Sequence, residues 1–140
     1  MRARQQYVLS LAFDPAAQEF ITVSVPSPRH RRLVVSRFAR SDFLLSSEFL
    51  PALAPGLALR GEDRALAEYV VTGAAVADGT LYAVSAAYST LLVIDLQARR
   101  VRAAYQVPGL ERPTGLAVRG AQLLVAHADG RLAVLDRPMP

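Results

Sequence analysis

The feature of this chain that most limits its possible folds is an internal repeat. The segments TLYAVSAAYSTLLVIDLQ (80–97) and QLLVAHADGRLAVLD (122–136) each contain two apolar runs, a short polar break and an aspartate near the end. A self-similar sequence at a fixed period indicates that one supersecondary unit is stacked several times. Residues of the same type recur 42 positions later at three places: Gly73/Gly115, Val76/Val118 and Leu81/Leu123. Three more recur 41 positions later: Leu91/Leu132, Val93/Val134 and Asp95/Asp136.

The apolar runs of the two units have the length and punctuation of β-strands. They span five to eight residues, are rich in Val, Leu and Tyr, and are bounded by turn-forming pairs such as Pro-Gly. Asp129-Gly130 between two runs predicts a tight hairpin. All nine prolines lie between runs or at an end, where a missing ladder donor is harmless. The predicted strands are GAAVA, TLYAVSA, TLLVID and RVRAAYQV in the first unit and GLAVR, QLLVAHA and RLAVLD in the second.

A looser copy of the unit precedes these two. Its predicted strands are SLAFD (10–14), EFITVSV (19–25), RRLVVSRF (31–38) and FLLSSEFL (43–50). In this alignment Phe13 corresponds to Val76, Phe20 to Leu81 and Leu33 to Leu91, which places Arg37 at the position of Asp95. The larger offset from this copy to the next is explained by an inserted connection, residues 51–68, with a short helix expected around 63–68.

Repeated four-stranded antiparallel units of about 40–45 residues are typical of β-propeller blades. The expected innermost strands, SLAF, GAAVA and GLAV, are rich in small residues that allow close approach near an axis. The units resemble NHL-type and YVTN-type propeller repeats, which carry a Gly-Leu-Ala-Val-like first strand, a Leu-Tyr-Val-Ala-like second and a Val-Asp-ended third. This resemblance covers nearly the whole chain and implies architecture.

The predicted fold is therefore all-β, with roughly 2.75 propeller blades. The boundaries are a blade at 10–50, the connection at 51–68, a blade at 69–108 and an incomplete blade at 113–137. Propellers close with about four to eight blades, and an open arc leaves exposed edges. Two chains could complete a six-bladed ring, with RARQQY (2–7) adding a strand across the interface, or the chain could be part of a longer propeller. The alternative fold is a stacked β-sandwich.

Composition limits the class of protein further. Hydrophobic residues make up 52% of the chain and charged residues 20%, which is typical of a globular protein. No apolar run approaches the roughly 20 residues of a membrane helix, and the apolar stretch 7–13 is too short for a signal peptide. The absence of cysteine excludes disulfides, zinc–thiolate sites and thiol nucleophiles. Lysine and asparagine are also absent, which we interpret as a G- and C-rich, bacterial type of genome; the compartment is not determined.

Candidate binding residues come from the loops. The net charge is +4, with a local cluster RHRR (29–32), but no nucleic-acid motif is present and a nucleic-acid partner is not expected. In a propeller, the loops between second and third strands share one face with the connections between blades. Because arginine binds carboxylate and phosphate in a bidentate way, this face predicts an anionic ligand or an acidic protein partner. The predicted contact residues are Arg31, Arg32, Tyr88, Arg112, His127 and Asp129; the alternative is an ordinary solvated loop surface.

Evidence for catalysis is weaker. His127 has Asp129 two residues on, while His30 lies among arginines, and no metal-ligand spacing or Gly-x-Ser-x-Gly motif occurs. We predict no catalytic residue, no metal and no cofactor. Lactonase-like propeller hydrolases hold a metal with acidic and amide side chains, whereas this chain has no asparagine and few acids on its inner strands. The hypothesis is a non-enzymatic binding or assembly module; the alternative is part of a propeller hydrolase completed by another chain or by missing blades.

Overall fold

Three β-sheets follow one another along the chain in a computed structural model that describes residues 7–25, 33–54, 71–85 and 89–138. Sheet 1 contains β1 (Tyr7–Asp14), β2 (Glu19–Val25), β3 (Val34–Ala39) and β4 (Leu45–Phe49). Sheet 2 contains β5 (Ala52–Leu53), β6 (Val71–Ala77), β7 (Thr80–Ser85), β8 (Thr90–Asp95) and β9 (Arg100–Gln106). Sheet 3 contains β10 (Pro113–Arg119), β11 (Gln122–His127) and β12 (Leu132–Asp136).

Apart from β5, strands that are consecutive in sequence within a sheet pair in an antiparallel manner. Sheet 1 has the order β1-β2-β3-β4 and sheet 3 the order β10-β11-β12, while β6 to β9 form the corresponding meander in sheet 2. The predicted four, four and three strands are thus confirmed. The helix expected around 63–68, most of the inserted connection and the segment RARQQY up to Gln6 lie outside the described residues.

The start of the connection adds a strand that the sequence did not predict. Strand β5 pairs in parallel with β9, so it lies at the outer edge of sheet 2. The amide of Ala52 donates to the carbonyl of Arg99 at 3.1 Å, and the amide of Ala54 donates to that of Val101 at 3.0 Å. Two residues are too few to give a periodic pattern, which is why the segment read as a connection.

The strand register corrects one part of the repeat alignment. Leu91 pairs with Val84, and the residue in the same position of sheet 1 is Val35, paired with Val23. Leu33 is therefore two positions away from the equivalent of Leu91, and the equivalent of Asp95 is Ala39 instead of Arg37.

Arg37 serves a different purpose from that of a strand-end residue. Its guanidinium lies 3.3 Å from a carboxylate oxygen of Asp14 and 3.4 Å from one of Glu19. Asp14 also accepts the amides of Ala16 and Ala17 through Oδ1, as expected of a turn residue. In sheet 2, Asp95 caps the following turn in the same way, with its Oδ1 2.9 Å from the amide of Gln97.

Adjacent sheets pack face to face, so both faces of sheet 2 are buried. One apolar cluster joins sheet 1 to the face of sheet 2 that carries Leu81, Ala83, Leu92 and Ile94. A second cluster joins the opposite face of sheet 2, with Tyr82, Val84, Leu91 and Val93, to Leu123 and Val125 of sheet 3. Two-sided burial explains why all six residues of β7 are buried and why the strand shows no polar alternation.

The innermost strands β6 and β10 approach each other at two glycines of the repeat. A Cβ built on Gly73 would lie 2.9 Å from the carbonyl carbon and 3.0 Å from the Cα of Gly115. The hydroxyl of Thr72 donates to the carbonyl of Pro113 beside this contact. In all three sheets the register shifts at the same place, between Val8 and Ser10, Val71 and Gly73, and Pro113 and Gly115. At residue 73, glycine is therefore required by the proximity of the β10 backbone.

We expect Gly73→Ala to destabilise the chain and Gly115→Ala to be tolerated. The added methyl at residue 73 would meet backbone that cannot move without displacing β10, a cost of about 1–3 kcal/mol. At residue 115 the methyl would meet only the Cβ of Ala126, at 3.8 Å, among the described residues. Urea denaturation of both variants at one protein concentration measures the difference. Equal free energies of unfolding for the two variants would contradict this account of the β6–β10 contact.

Candidate functional site

The connection between sheets 2 and 3, residues 107–112, lies between two hairpin turns. The amide of Val107 donates to the carbonyl of Ser89 at 2.8 Å, and the Ser89 hydroxyl donates to the carbonyl of Leu110 at 3.0 Å. On the other side, the amide of Ala128 donates to the carbonyl of Arg112 at 3.0 Å. Leu110 is buried in the apolar cluster beneath. We call the surface formed by Ser89, residues 107–112 and residues 128–131 the loop face.

His127 holds this connection to the β11–β12 turn. Its Nδ1 lies 2.7 Å from the carbonyl oxygen of Glu111. A carbonyl can only accept a hydrogen bond, so Nδ1 carries the proton and donates. The residue is 5% exposed, and its backbone amide donates to the carbonyl of Arg131 at 2.9 Å. Its position in the repeat is that of Ser24 and Ser85, both also buried. The geometry gives His127 a structural role in the turn.

Asp129 organises the tip of the same hairpin. Its Oδ1 accepts the amide of Arg131 at 3.1 Å, and its Oδ2 accepts Nε of the same residue at 2.7 Å. These contacts lower the pKa of Asp129 below its ordinary value, the backbone hydrogen bond from Arg131 being the largest cause and the side-chain bond and charge of Arg131 adding to it. More than half of each side chain is exposed, so the ion pair is a solvated one.

Arg112 is the cation of the loop face whose guanidinium has no ion-pair partner among the described residues. Its backbone has φ 46°, a left-handed conformation that is uncommon for residues other than glycine. The hydrogen bond from Ala128 to its carbonyl holds that conformation. A depression of about 300 Å³ opens beside it, lined by Glu111, Arg112, Ala128, Asp129 and Arg131.

The structure brings together three of the six predicted contact residues. Arg112, His127 and Asp129 lie in or directly below the loop face, whereas Arg31, Arg32 and Tyr88 lie outside the described residues. Glu111 and Arg131 join the same depression. Two arginines and two carboxylates line it, so this part of the face is balanced in charge and the expected basic surplus is not found among the described residues.

His127 and Asp129 do not form the pair that their spacing suggested. Each is hydrogen-bonded to another group, His127 to the Glu111 carbonyl and Asp129 to Arg131. The anchoring role of Ser89 and Leu110 was not foreseen, because a hydroxyl–carbonyl contact between residues 21 positions apart leaves no sequence signal.

In the part of the chain that the structure describes, no cluster of three metal-binding side chains occurs. No helix there is long and apolar enough to cross a membrane.

No protein-family model and no curated protein sequence matches the chain. Several solved structures do. Kuenenia stuttgartiensis hydrazine synthase matches at 15% identity and a TM-score of 0.60, over 97% of this chain and 34% of that chain. The structure of U3-55K matches at 15% identity and a TM-score of 0.60, over 96% of this chain and 37% of that chain. The Cps50 (Swd1) β-propeller domain of Myceliophteria thermophila matches at 12% identity and a TM-score of 0.56, over 100% of this chain and 38% of that chain.

These similarities and the three stacked antiparallel sheets define the class: the chain is built of β-propeller blades. The prediction of an all-β fold of nearly three blades is confirmed, and the stacked sandwich is not the fold. Identities of this size show the fold alone. The chain spans about a third of the length of the structures it matches.

We expect His127→Ala to destabilise the loop face and His127→Asn to restore part of the loss. Alanine leaves the Glu111 carbonyl without its donor, at a cost of about 1–3 kcal/mol, while the asparagine amide can donate from a similar position. Urea denaturation gives the free energy of unfolding, and hydrogen exchange at the Ala128 amide reports on the connection itself. If alanine and asparagine had equal effects, the hydrogen bond to Glu111 would not be the stabilising contact.

We expect the pKa of Asp129 to stay below its ordinary value in Arg131→Ala, though less far below. The backbone amide of residue 131 remains as a donor, while the guanidinium is lost. Because the pKa is lower in the folded chain, this contribution to stability is present above the ordinary aspartate pKa, about 3.9. It is lost as pH falls through the folded-state pKa. Carbon-detected NMR titration of the carboxyl measures both variants; a return to the ordinary value in Arg131→Ala would show that the guanidinium dominates.

Proposed function

We propose that this chain is a non-enzymatic binding or assembly module made of propeller blades. Its loop face holds an anionic small ligand or an acidic protein surface, and further blades, from a second copy or from a longer chain, complete the ring. The repeat type is that of NHL or YVTN propellers. The propeller fold of the chain and of the structures it matches supports the module reading.

One observation carries the binding part of the proposal. Arg112 lies at the depression of the loop face with its guanidinium unpaired among the described residues and its backbone held in a left-handed conformation. The neighbouring cation Arg131 is already paired with Asp129 at 2.7 Å. Arg112 is thus the group left to receive an acceptor, and a guanidinium matches carboxylate or phosphate in a bidentate way.

The bonding of His127 and Asp129 favours binding over catalysis. A general base needs a partner that orients it and a free nitrogen aimed at substrate. The Glu111 carbonyl orients His127 through Nδ1, but the residue is only 5% exposed and so lies below the surface that would receive a substrate. Asp129 accepts from Arg131 and is not paired with the imidazole. Both side chains stiffen the turns around Arg112. The loop face is best described as a rigid platform.

The test compares Arg112→Ala with Arg119→Ala. Arg119 ends β10 at the opposite end of the strand from Arg112 and is also exposed, so the second variant removes the same charge from a different face. The probes are a fluorescein-labelled poly-glutamate peptide and inorganic pyrophosphate, measured by fluorescence anisotropy and calorimetry. We expect Arg112→Ala to weaken binding about tenfold, the loss of one charge-assisted hydrogen bond, and Arg119→Ala to leave it unchanged.

Salt and a conservative variant refine the test. Binding should weaken as ionic strength rises, and Arg112→Lys should retain charge but lose most of the affinity, because lysine cannot bind an oxyanion through a planar fork. Equal weakening by Arg112→Ala and Arg119→Ala would indicate only a general charge effect. Absence of binding to both probes by the unmodified chain would contradict the proposed anionic ligand.

A further inference from the structure

One face of sheet 3 is apolar and uncovered. Along β12, Leu132 is 63% exposed and Val134 is 53% exposed. Leu124 and Ala126 of β11 lie opposite them in the ladder, on the same face. We call this surface, Leu124, Ala126, Leu132 and Val134, the open face. It is distinct from the loop face, which lies at the turns.

Comparison of the repeats indicates that the open face is suited to packing against another sheet. Each of its residues has an equivalent on the face of sheet 2 that packs against sheet 3, where Leu91 and Val93 are at most 2% exposed. At two of these positions the same leucine and valine side chains are therefore buried in sheet 2 and exposed in sheet 3. The equivalent pairs, read from the ladders, are Tyr82/Leu124, Val84/Ala126, Leu91/Leu132 and Val93/Val134.

The inner strand of sheet 3 repeats the feature that admits a neighbouring strand. At Gly73 the missing Cβ makes room for the backbone of β10. Gly115 occupies the same position one unit later, and a Cβ there would meet only Ala126, at 3.8 Å, among the described residues. Within the described ranges, no strand fills the room beside Gly115. The occupant of the open face is thus a blade, packed as sheet 3 packs on sheet 2.

Sheet 1 carries the face that is equivalent to the one by which sheet 3 packs on sheet 2. The row of sheet 3 that packs on sheet 2 is Val118, Leu123 and Leu135, and the equivalent row of sheet 1 is Phe13, Phe20 and Phe38. These phenylalanine rings, with Phe43, form a contiguous cluster with centroid distances of 4.9 to 6.0 Å. Phe13, Phe43 and the nearby Leu11 are exposed. The adjacent residues Thr22 and Ser36 are already buried, so contact falls on the phenylalanine row.

The two faces are complementary in size. Where sheet 2 presents Tyr82 and Val84, the open face presents the smaller Leu124 and Ala126. Where sheet 3 presents valine and two leucines, the row of sheet 1 presents three phenylalanines. Because well-packed interfaces conserve total volume, smaller side chains on one face call for larger ones on the other. This match selects sheet 1 of the same sequence as the occupant.

We propose that the open face of one copy packs against the phenylalanine row of a second copy, and the reverse, so that two chains close one ring. Three sheets from each copy give six blades, within the range of about four to eight that propellers use. The contact is made twice and relates the copies by a two-fold axis. The inference rests on the ring closure included in the proposed function, and it is independent of Arg112 and of any ligand of the loop face.

Solution mass tests the assembly. Light scattering over a concentration series should give twice 15.1 kDa for the unmodified chain. Leu132→Asp and Phe13→Asp, each placing a charge in the contact, should give a single-chain mass. Leu53→Asp is the matched control: Leu53 is 42% exposed on β5, outside the proposed contact, and this variant should stay dimeric. Circular dichroism of each variant shows whether it is folded.

Cross-linking tests which faces meet. The chain has no cysteine, so introduced thiols are unique. A mixture of Val134→Cys and Phe13→Cys chains, treated with a short bismaleimide, should give a covalent dimer containing both variants, while either variant alone should give little. A single-chain mass for the unmodified protein at all concentrations, a mass above two chains, or efficient cross-linking of Val134→Cys to itself would each overturn the proposal.

Discussion

The structure depends on the burial of sheet 2 between sheets 1 and 3. A sheet that packs on both faces has no polar side, and its strands become continuous apolar runs such as TLYAVS and TLLVID. Sheet 2 meets this requirement through two clusters, one shared with sheet 1 and one with sheet 3. The innermost strands must then approach closely, and Gly73 opposite Gly115 makes that approach possible. The small-residue inner strands and the apolar second and third strands follow from this one constraint.

The same constraint links architecture to assembly. Strand β12 has the sequence LAVLD, apolar on both faces like its equivalent in sheet 2, yet alternate residues of it are exposed. Strand β12 thus has the apolar pattern of a strand buried on both faces, but sheet 3 packs against a described neighbour, sheet 2, on one face only. The loop face does not depend on sheet packing in this way, because its geometry comes from hydrogen bonds between backbone and a few polar side chains. The geometry of the turns and the stacking of the sheets therefore rest on different contacts.

Repetition also shows how a site can arise within a regular fold. Two units carry serine at the end of the second strand, at Ser24 and Ser85, and the third carries His127. The longer side chain reaches the carbonyl of Glu111, 16 residues earlier, and joins the connection to the hairpin. Arg112 is next in sequence, in a backbone conformation that this network maintains. At this repeated position, histidine thus joins the connection to the hairpin of its own unit.

The sequence by itself determined eleven of the twelve described strands, their order, the turns and the positions that repeat, because these follow from short-range periodicity and turn chemistry. It could not determine the register of the third strand in sheet 1, since a slip of two residues leaves every side chain on the same face, and Leu33 was equated with Leu91 in place of Val35. Only the tertiary structure decided the parallel strand β5, the partners of His127 and Asp129, and which face of sheet 3 stays uncovered. Each of these depends on contacts between residues distant in sequence, whose energies a local pattern does not contain.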